Sequence, residues 1–112
     1  MKMIKCYIQY EKLEALREKL FELGVPGISV LDAKGIGKPM SHLKSDPVLK
    51  VPQFHPCVEI SVVLEAEAVD EVVDMIEKTL HTGSLSDGKI FVIPVEEAIR
   101  VRTGERGKQA LY

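Results

Sequence analysis

One pattern of secondary structure occurs twice along this chain, once on each side of a long loop, and this repeat constrains the fold more than any other feature. Alternating or continuous apolar residues predict strands, and apolar residues at steps of three and four predict helices. The predicted strands are residues 2–9, 28–34, 57–64 and 90–95, and the predicted helices are residues 11–23 and 66–80. The order is therefore strand, helix, strand, loop, strand, helix, strand.

Right-handed crossovers and short connections favour one arrangement of these elements, an α+β, ferredoxin-like βαββαβ fold. We expect a four-stranded antiparallel sheet with both helices on one face. The opposite face is too apolar to remain in water, so the sequence predicts an oligomer that covers it. The residues expected on this opposite face are Tyr7, Ser29, Leu31, Val63 and Phe91 or its neighbours. After the last strand, a helical turn is predicted at residues 96–99.

Length and composition indicate a single domain, residues 1–112, and exclude several functional classes. Fifteen basic and seventeen acidic side chains give a formal net charge of −2, which argues against general nucleic-acid binding. No apolar run is long enough to insert into a membrane, and we expect no signal peptide because residues 1–10 lack its apolar core. Cys6 and Cys57 do not have zinc-site spacing, so we expect free thiols in the cytoplasm.

The loop at residues 35–56 contains Pro39, Pro47, Pro52 and Pro56 and has no sustained periodicity. A loop of this length inside a compact domain is uncommon and is usually functional or disordered. It is therefore the first candidate for a surface that contacts a partner protein.

Three short motifs are suited to binding phosphate. Residues 34–38 (Lys-Gly-Ile-Gly-Lys) allow the backbone to approach an anion closely, and residues 82–89 combine hydroxyl groups, an Asp-Gly turn and a lysine. Alternation along an extended segment would place Arg100 and Arg102 on one side, where an anion would relieve their repulsion. Each motif alone is explained as well by a flexible loop, a plain turn or solvated side chains. The three together favour a polyphosphate ligand.

In residues and order, these motifs resemble those of the PII signal-transduction family, and the chain looks like a divergent, PII-like member. The matching stretches are Lys34-Gly35-Ile36-Gly37, Thr82-Gly83 followed by Asp87-Gly88-Lys89-Ile90-Phe91-Val92, and Arg100 with Val101-Arg102-Thr103-Gly104-Glu105. The resemblance implies a homotrimeric regulator that is not an enzyme. ATP or ADP, with Mg²⁺ as a companion of ATP, would bind in clefts between subunits. The 35–56 loop (the T-loop) would dock on a target protein such as a transporter or an enzyme, and residues 82–89 and 100–105 correspond to the B-loop and C-loop.

The resemblance also assigns the nucleotide site residue by residue. It implies that Gly35, Ile36, Gly37 and Lys38 line the phosphates, and that Tyr7, Ser29 and Val63 line the adenine and ribose. It further implies that Gly88 and Lys89 contact the β- and γ-phosphate region, with Asp87 holding the turn and Ser86 standing where the family usually has Gly. Arg100 and Arg102 would reach in from the neighbouring subunit.

The sequence departs from the family pattern at three places in the loop and its exit. No tyrosine occurs between residues 35 and 56, which excludes the uridylylation found in some members. Pro39 replaces the glutamine that orders Mg-ATP and 2-oxoglutarate, and Cys57 replaces a phosphate-binding lysine, so we expect little sensing of 2-oxoglutarate. An alternative is a PII-like regulator that responds to a metal or a small anion, with His55 and Cys57 as candidate ligands. An enzyme is disfavoured because no nucleophile–base pair or acid pair occurs at a motif.

Overall fold

The computed structural model describes residues 1–37, 54–84 and 86–112. Each predicted strand and helix is present, in the predicted order. The strands are β1 (Lys2–Ile8), β2 (Ser29–Gly35), β3 (His55–Leu64) and β4 (Lys89–Pro94), and the helices are α1 (Leu13–Glu22) and α2 (Val69–Leu80). Single 3-10 turns, Tyr10–Lys12 and Ala66–Ala68, lead into the two helices.

The four strands form one sheet in the order β2-β3-β1-β4, and every neighbouring pair is antiparallel. This order confirms the predicted ferredoxin-like βαββαβ architecture. In the register, Tyr7 of β1 lies opposite Glu59 of β3, and Ala33 of β2 lies opposite Cys57. Because side chains alternate between the two faces of a strand, this register decides which residues share a face.

Both helices pack on one face of the sheet, where they bury the core. That face of β1 and β3 is apolar and almost inaccessible, and the leucines of α1 and the β-branched residues of α2 lie over it. The buried residues are Ile4, Cys6, Ile8, Val58, Ile60, Val62 and Leu64 from the strands, Leu16 and Leu20 from α1, Val69, Val72, Ile76 and Leu80 from α2, and Val25. Burial raises the pKa of the Cys6 thiol to about 11, so this cysteine is a core residue rather than a reactive one.

The opposite face of the sheet, which we call the open face, carries the residues that the sequence predicted there. Leu31 is 58% exposed and Phe91 is 46% exposed. The Phe91 ring meets the Tyr7 ring edge to face, with 6.3 Å between the ring centroids. Large apolar side chains left in water on a sheet face support the expectation that another surface covers them.

The start of β3 and the segment after β4 differ from the sequence-based expectation. Strand β3 starts at His55, two residues earlier than predicted, because Gly35 of β2 pairs with His55. The helical turn predicted at residues 96–99 is wrong, since the Val95 amide still bonds to the Met1 carbonyl oxygen, at 3.2 Å, and Ile99 bridges to Arg106. The C-terminal part instead ends in a 3-10 helix, Gly107–Leu111.

In the part of the chain that the structure describes, no helix has the length and apolar character needed to cross a membrane.

Candidate functional site

A cavity of about 800 Å³ opens at the edge of the sheet where β1 and β2 end and β3 begins. We call it the first cavity. The turn between α2 and β4 closes its side, so the cavity brings together residues from two of the three phosphate motifs and does not include the arginines. Its lining includes Tyr7, Ala33, Gly35, Gly37, His55, Cys57, Ser86 and Gly88, together with Tyr10, Glu11 and Asp32.

The glycines of the first motif form one wall of this cavity. Gly35 is the last residue of β2, and a β-carbon built on it would lie 3.7 Å from the Sγ atom of Cys57, an ordinary contact. Ile36 is exposed and does not line the cavity. Lys38, which the resemblance assigns to the phosphates, lies outside the described residues.

Asp87 organises the turn between α2 and β4. Its Oδ2 atom accepts hydrogen bonds from the backbone amides of Thr82, at 2.8 Å, and Gly83, at 2.9 Å, and its Oδ1 atom accepts one from the Thr82 hydroxyl. These bonds, the Thr82 hydroxyl first, hold the pKa of the Asp87 carboxyl below its ordinary value. The Ser86 hydroxyl lies 2.8 Å from the Ser84 hydroxyl. The turn therefore takes its shape from contacts within the chain.

Gly88 and Lys89 follow at the start of β4. Gly88 has a φ of +99°, a conformation that favours glycine, and it packs against the backbone of Tyr7. Lys89 is exposed and lies opposite Tyr7 in the β1–β4 register. Lys89 is therefore paired with a residue of the wall of the first cavity.

Tyr7 lies in a polar network on the open face that the sequence analysis did not identify. Its hydroxyl donates a hydrogen bond to the Oε1 atom of Glu59, at 2.7 Å, and the Lys5 ammonium lies 3.6 Å from the same oxygen. The bond to Glu59 raises the pKa of Tyr7, and desolvation adds to the shift. From the sequence, Glu59 is recognisable only as a carboxylate in a half-buried strand. Its hydrogen-bond partner depends on the register between β1 and β3.

Ser29 and Val63 lie at the other end of the sheet, in a separate cavity of about 360 Å³. We call it the second cavity. Its walls also include Met3, Ser61, Ala110 and Leu111. Met3 and Tyr7 are four residues apart on β1, which corresponds to roughly 13 Å along a strand. The three residues that the resemblance assigns to the adenine and ribose do not meet within one chain.

The two arginines lie on a turn, so the expectation of an extended segment is wrong. Residues 101–103 form the turn, the Gly104 amide bonds to the Arg100 carbonyl oxygen at 2.7 Å, and Gly104 has a φ of +74°. Side chains in such a turn do not alternate between two sides as they do in a strand, so the spacing of Arg100 and Arg102 does not place them on one side.

The same two arginines have different surroundings. The Arg100 guanidinium donates to the carbonyl oxygen of Gln109, at 3.0 Å, and contacts Glu105 Oε1, at 3.4 Å. Arg102 is exposed, and no hydrogen bond or ion pair engages its guanidinium within residues 1–37, 54–84 and 86–112. Arg100 is therefore held in place by its own chain, while Arg102 is accessible to an anion.

His55 and Cys57, the candidate metal ligands, both line the first cavity. They are two residues apart on β3 and so share a face of the sheet. Among the described residues, however, no group of three histidine, cysteine, aspartate or glutamate side chains is placed to hold a metal ion. A protein metal site needs more ligands than these two.

Comparisons with known proteins agree with the motifs. The family model "Nitrogen regulatory protein P-II" matches residues 1–105. The chain is 43% identical over 112 residues to the nitrogen regulatory protein P-II of Azospirillum brasilense, and 39% identical over 113 residues to the nitrogen regulatory protein GlnK of Escherichia coli K12. Both alignments cover 99% of this chain and all of the relative. The resemblance stated from the motifs is confirmed, and the chain belongs to the nitrogen regulatory protein P-II family, whose members are signalling regulators.

Proposed function

We propose that the protein is a cytoplasmic homotrimeric regulator that binds ADP or ATP in clefts between its subunits and acts on a partner protein through the 35–56 loop. One observation carries this proposal. Among the residues assigned to the nucleotide, Tyr7, Gly35, Gly37, Ser86 and Gly88 line one cavity, whereas Ser29 and Val63 line another at the opposite end of the same sheet. Two copies of the chain can place the first cavity of one beside the second cavity of the other, so that one ligand touches both sets.

The charge of the first cavity supports the same conclusion. Its described lining contributes the acidic residues Glu11 and Asp32 together with His55, but no lysine or arginine. A nucleotide polyphosphate requires several cationic partners. Lys89 lies beside the cavity, and Arg102 of a neighbouring copy would supply a guanidinium without breaking a contact seen within the described chain.

The open face offers a surface through which copies would associate. Its exposed apolar side chains, among them Leu31, Phe91 and Ile93, gain free energy when they leave water. Sheet-on-sheet packing between copies would bury this face. The proposed trimer requires this packing to bring the first cavity of one copy towards the second cavity of the next.

Within such a cleft, residues of different chemistry would contact different parts of the nucleotide. The backbone at Gly35, Gly37 and Gly88 can approach phosphate oxygens because no side chain intervenes. Val63 and the Tyr7 ring are apolar surfaces for the base, and the Ser29 hydroxyl is a hydrogen-bonding group for the base or sugar. No covalent step is required of any of them.

Magnesium would enter with ATP rather than by itself. The described residues hold no cluster of carboxylates, imidazoles or thiolates that fits a metal ion. Mg²⁺ is commonly held by one or two protein groups and by the phosphates of its nucleotide. The alternative of a regulator that responds to a bare metal through His55 and Cys57 has no third ligand among the described residues, so we favour the adenine nucleotide as the signal.

The test is a calorimetric titration of the purified protein with ADP, ATP, AMP and GDP, together with its mass by light scattering. We expect the mass of a trimer, saturable binding of ADP and ATP, and much weaker binding of GDP. A monomer at micromolar concentration, or a protein that binds none of these nucleotides, would contradict the proposal.

A further inference from the structure

The last structured segment of the chain, the 3-10 helix Gly107–Leu111, lies against the second cavity. Ala110 and Leu111 form part of the cavity wall, together with Ser29 and Val63. Both side chains are partly buried. This segment lies beyond residues 1–105, which the family model matches. None of the residues assigned so far to the nucleotide site belongs to it.

Three contacts hold the segment against the rest of the molecule. The Gly107 amide bonds to the carbonyl oxygen of Ala98, at 2.9 Å. The Lys108 ammonium lies 3.2 Å from the Oε2 atom of Glu65. The Gln109 carbonyl oxygen accepts the hydrogen bond from Arg100. The segment thus contributes to the wall of the second cavity and is bonded to Arg100, a residue assigned to the phosphates.

We infer that residues 107–111 contribute directly to nucleotide binding at this site. Leu111 supplies an apolar wall for the base, and the Gln109 carbonyl group positions the Arg100 guanidinium. The inference rests on the proposed function, since it assigns further residues to the same inter-subunit site.

The apolar wall follows from the shape of the second cavity. A space of about 360 Å³ remains between the segment and the sheet, which is within the usual range of small-molecule pockets. The segment therefore borders the space and does not fill it. Leu111 and Val63 border the same space, and two aliphatic side chains suit the flat surface of a purine.

The positioning role follows from the contacts of Arg100. A guanidinium has five N–H donors in a rigid plane, and here the Gln109 carbonyl and the Glu105 carboxylate each engage one terminal nitrogen. Two fixed acceptors set the direction of the plane and leave other N–H groups available to a phosphate. Displacement of the segment would free the guanidinium to rotate.

Two ligands distinguish the contact of Leu111 with the base from the positioning of Arg100 for the phosphates. ADP carries base and phosphates, whereas inorganic tripolyphosphate carries phosphates alone. The first variant is Leu111→Ala, with Tyr112→Ala as a neighbouring control because Tyr112 is 65% exposed. We expect Leu111→Ala to weaken ADP binding by about tenfold, because the base then buries less apolar surface, and to leave tripolyphosphate binding unchanged. Tyr112→Ala should leave both affinities unchanged.

A second variant, Lys108→Met, loosens the segment without altering a wall residue. Lys78→Met on α2 is its charge-matched control. Because exposed ion pairs are weak, we expect Lys108→Met to reduce both affinities by about two- to fivefold beyond the control. Thermal unfolding by circular dichroism and the mass by light scattering check that each variant remains folded and assembled.

The outcomes separate the inference from the proposed function. Wild-type protein that binds ADP, with Leu111→Ala binding it equally well, would overturn the inference alone. An equal loss of ADP and tripolyphosphate binding in Leu111→Ala would overturn the assignment of Leu111 as an apolar wall for the base. Wild-type protein that binds neither ligand contradicts the proposed function, and the inference with it.

Discussion

A β-carbon built on Gly88 would lie 2.1 Å from the carbonyl oxygen of Tyr7. No side chain fits at that distance, so the backbone at the start of β4 approaches the end of β1 only because residue 88 is glycine. This close approach places Gly88, together with Ser86, on the wall of the first cavity, where the proposed phosphate groups would lie.

Gly88→Ala should therefore destabilise the protein by at least about 2 kcal/mol, through steric overlap and a φ that alanine disfavours. Urea denaturation followed by circular dichroism measures this change. Gly83→Ala is the matched control, because Gly83 has a φ of +86° but nothing within 4 Å of the added β-carbon. Equal losses of stability in the two variants would show that the contact with Tyr7 does not matter.

Asp87 should control the stability of the same turn in a pH-dependent way. Hydrogen bonds from Thr82 and Gly83 hold the pKa of its carboxyl below the ordinary value of 3.8. The stabilisation is therefore present above pH 3.8 and is lost as the pH falls through the lowered pKa of the folded state. The NMR signals of the Thr82 and Gly83 amides should titrate with a midpoint below pH 3.8. Movement centred above pH 3.8 would contradict this assignment.

Asp87→Asn removes one accepting oxygen at every pH. Hydrogen exchange at the Thr82 and Gly83 amides should then become faster at neutral pH, because a neutral carbonyl oxygen is a weaker acceptor than a carboxylate oxygen. The oxygen that accepts from the Thr82 hydroxyl is also replaced by an NH2 donor. Asp74→Asn, on the exposed side of α2, should leave the two exchange rates unchanged.

The fold was predictable from the sequence because each element carries its own periodicity. Ile4, Cys6 and Ile8 alternate as a half-buried strand must, and Asp87-Gly88 is a turn signature. Such signals are local, and the right-handed connection rule then leaves one natural topology for them.

Parts of the site were not predictable in this way, because they depend on contacts between distant residues. The bond between Tyr7 and Glu59 follows from the strand register, and the division of Tyr7 from Ser29 and Val63 follows from antiparallel pairing. The sequence predicted Arg100 and Arg102 on one side of an extended segment. The bond between the Arg100 amide and the Glu105 carbonyl oxygen, at 2.9 Å, instead closes a turn there.

The different surroundings of the arginines predict different effects of their removal. Arg102→Ala and Arg100→Ala should each weaken ADP binding by about 1.5–3 kcal/mol, the usual contribution of a charge-assisted contact. Only Arg100→Ala should also lower the free energy of unfolding, by about 0.5–1.5 kcal/mol, because Glu105 and Gln109 lose a partner.

Calorimetry measures the two affinities and urea denaturation the two stabilities. Arg17→Ala controls for the loss of one positive charge, since Arg17 lies on α1 and pairs with Glu14. Unchanged ADP affinity in both Arg100→Ala and Arg102→Ala would show that the phosphates bind elsewhere.

The absence of a lysine at residue 57 predicts little or no binding of 2-oxoglutarate, even with Mg-ATP present. Cys57 lies in the first cavity without a positive charge, and a dianion that is buried without partners is costly. Cys57→Lys should gain binding, whereas Cys57→Ser, which adds polarity but no charge, should not. Saturable binding of 2-oxoglutarate to the wild-type protein at micromolar concentration would refute this prediction.

The central claim is that each nucleotide site takes residues from two copies of the chain, and subunit mixing tests it most directly. Lys89→Ala alters only the half of a cleft that one copy contributes, at its first cavity. Arg102→Ala alters only the other half of that cleft, which the neighbouring copy would contribute. Each variant alone should bind ADP weakly. After the two variants are unfolded together and refolded, each mixed trimer should contain one cleft in which both halves are wild-type, so calorimetry should detect ADP binding at wild-type affinity. If native mass spectrometry shows mixed trimers and no such binding appears, the site lies within one chain and the account is contradicted.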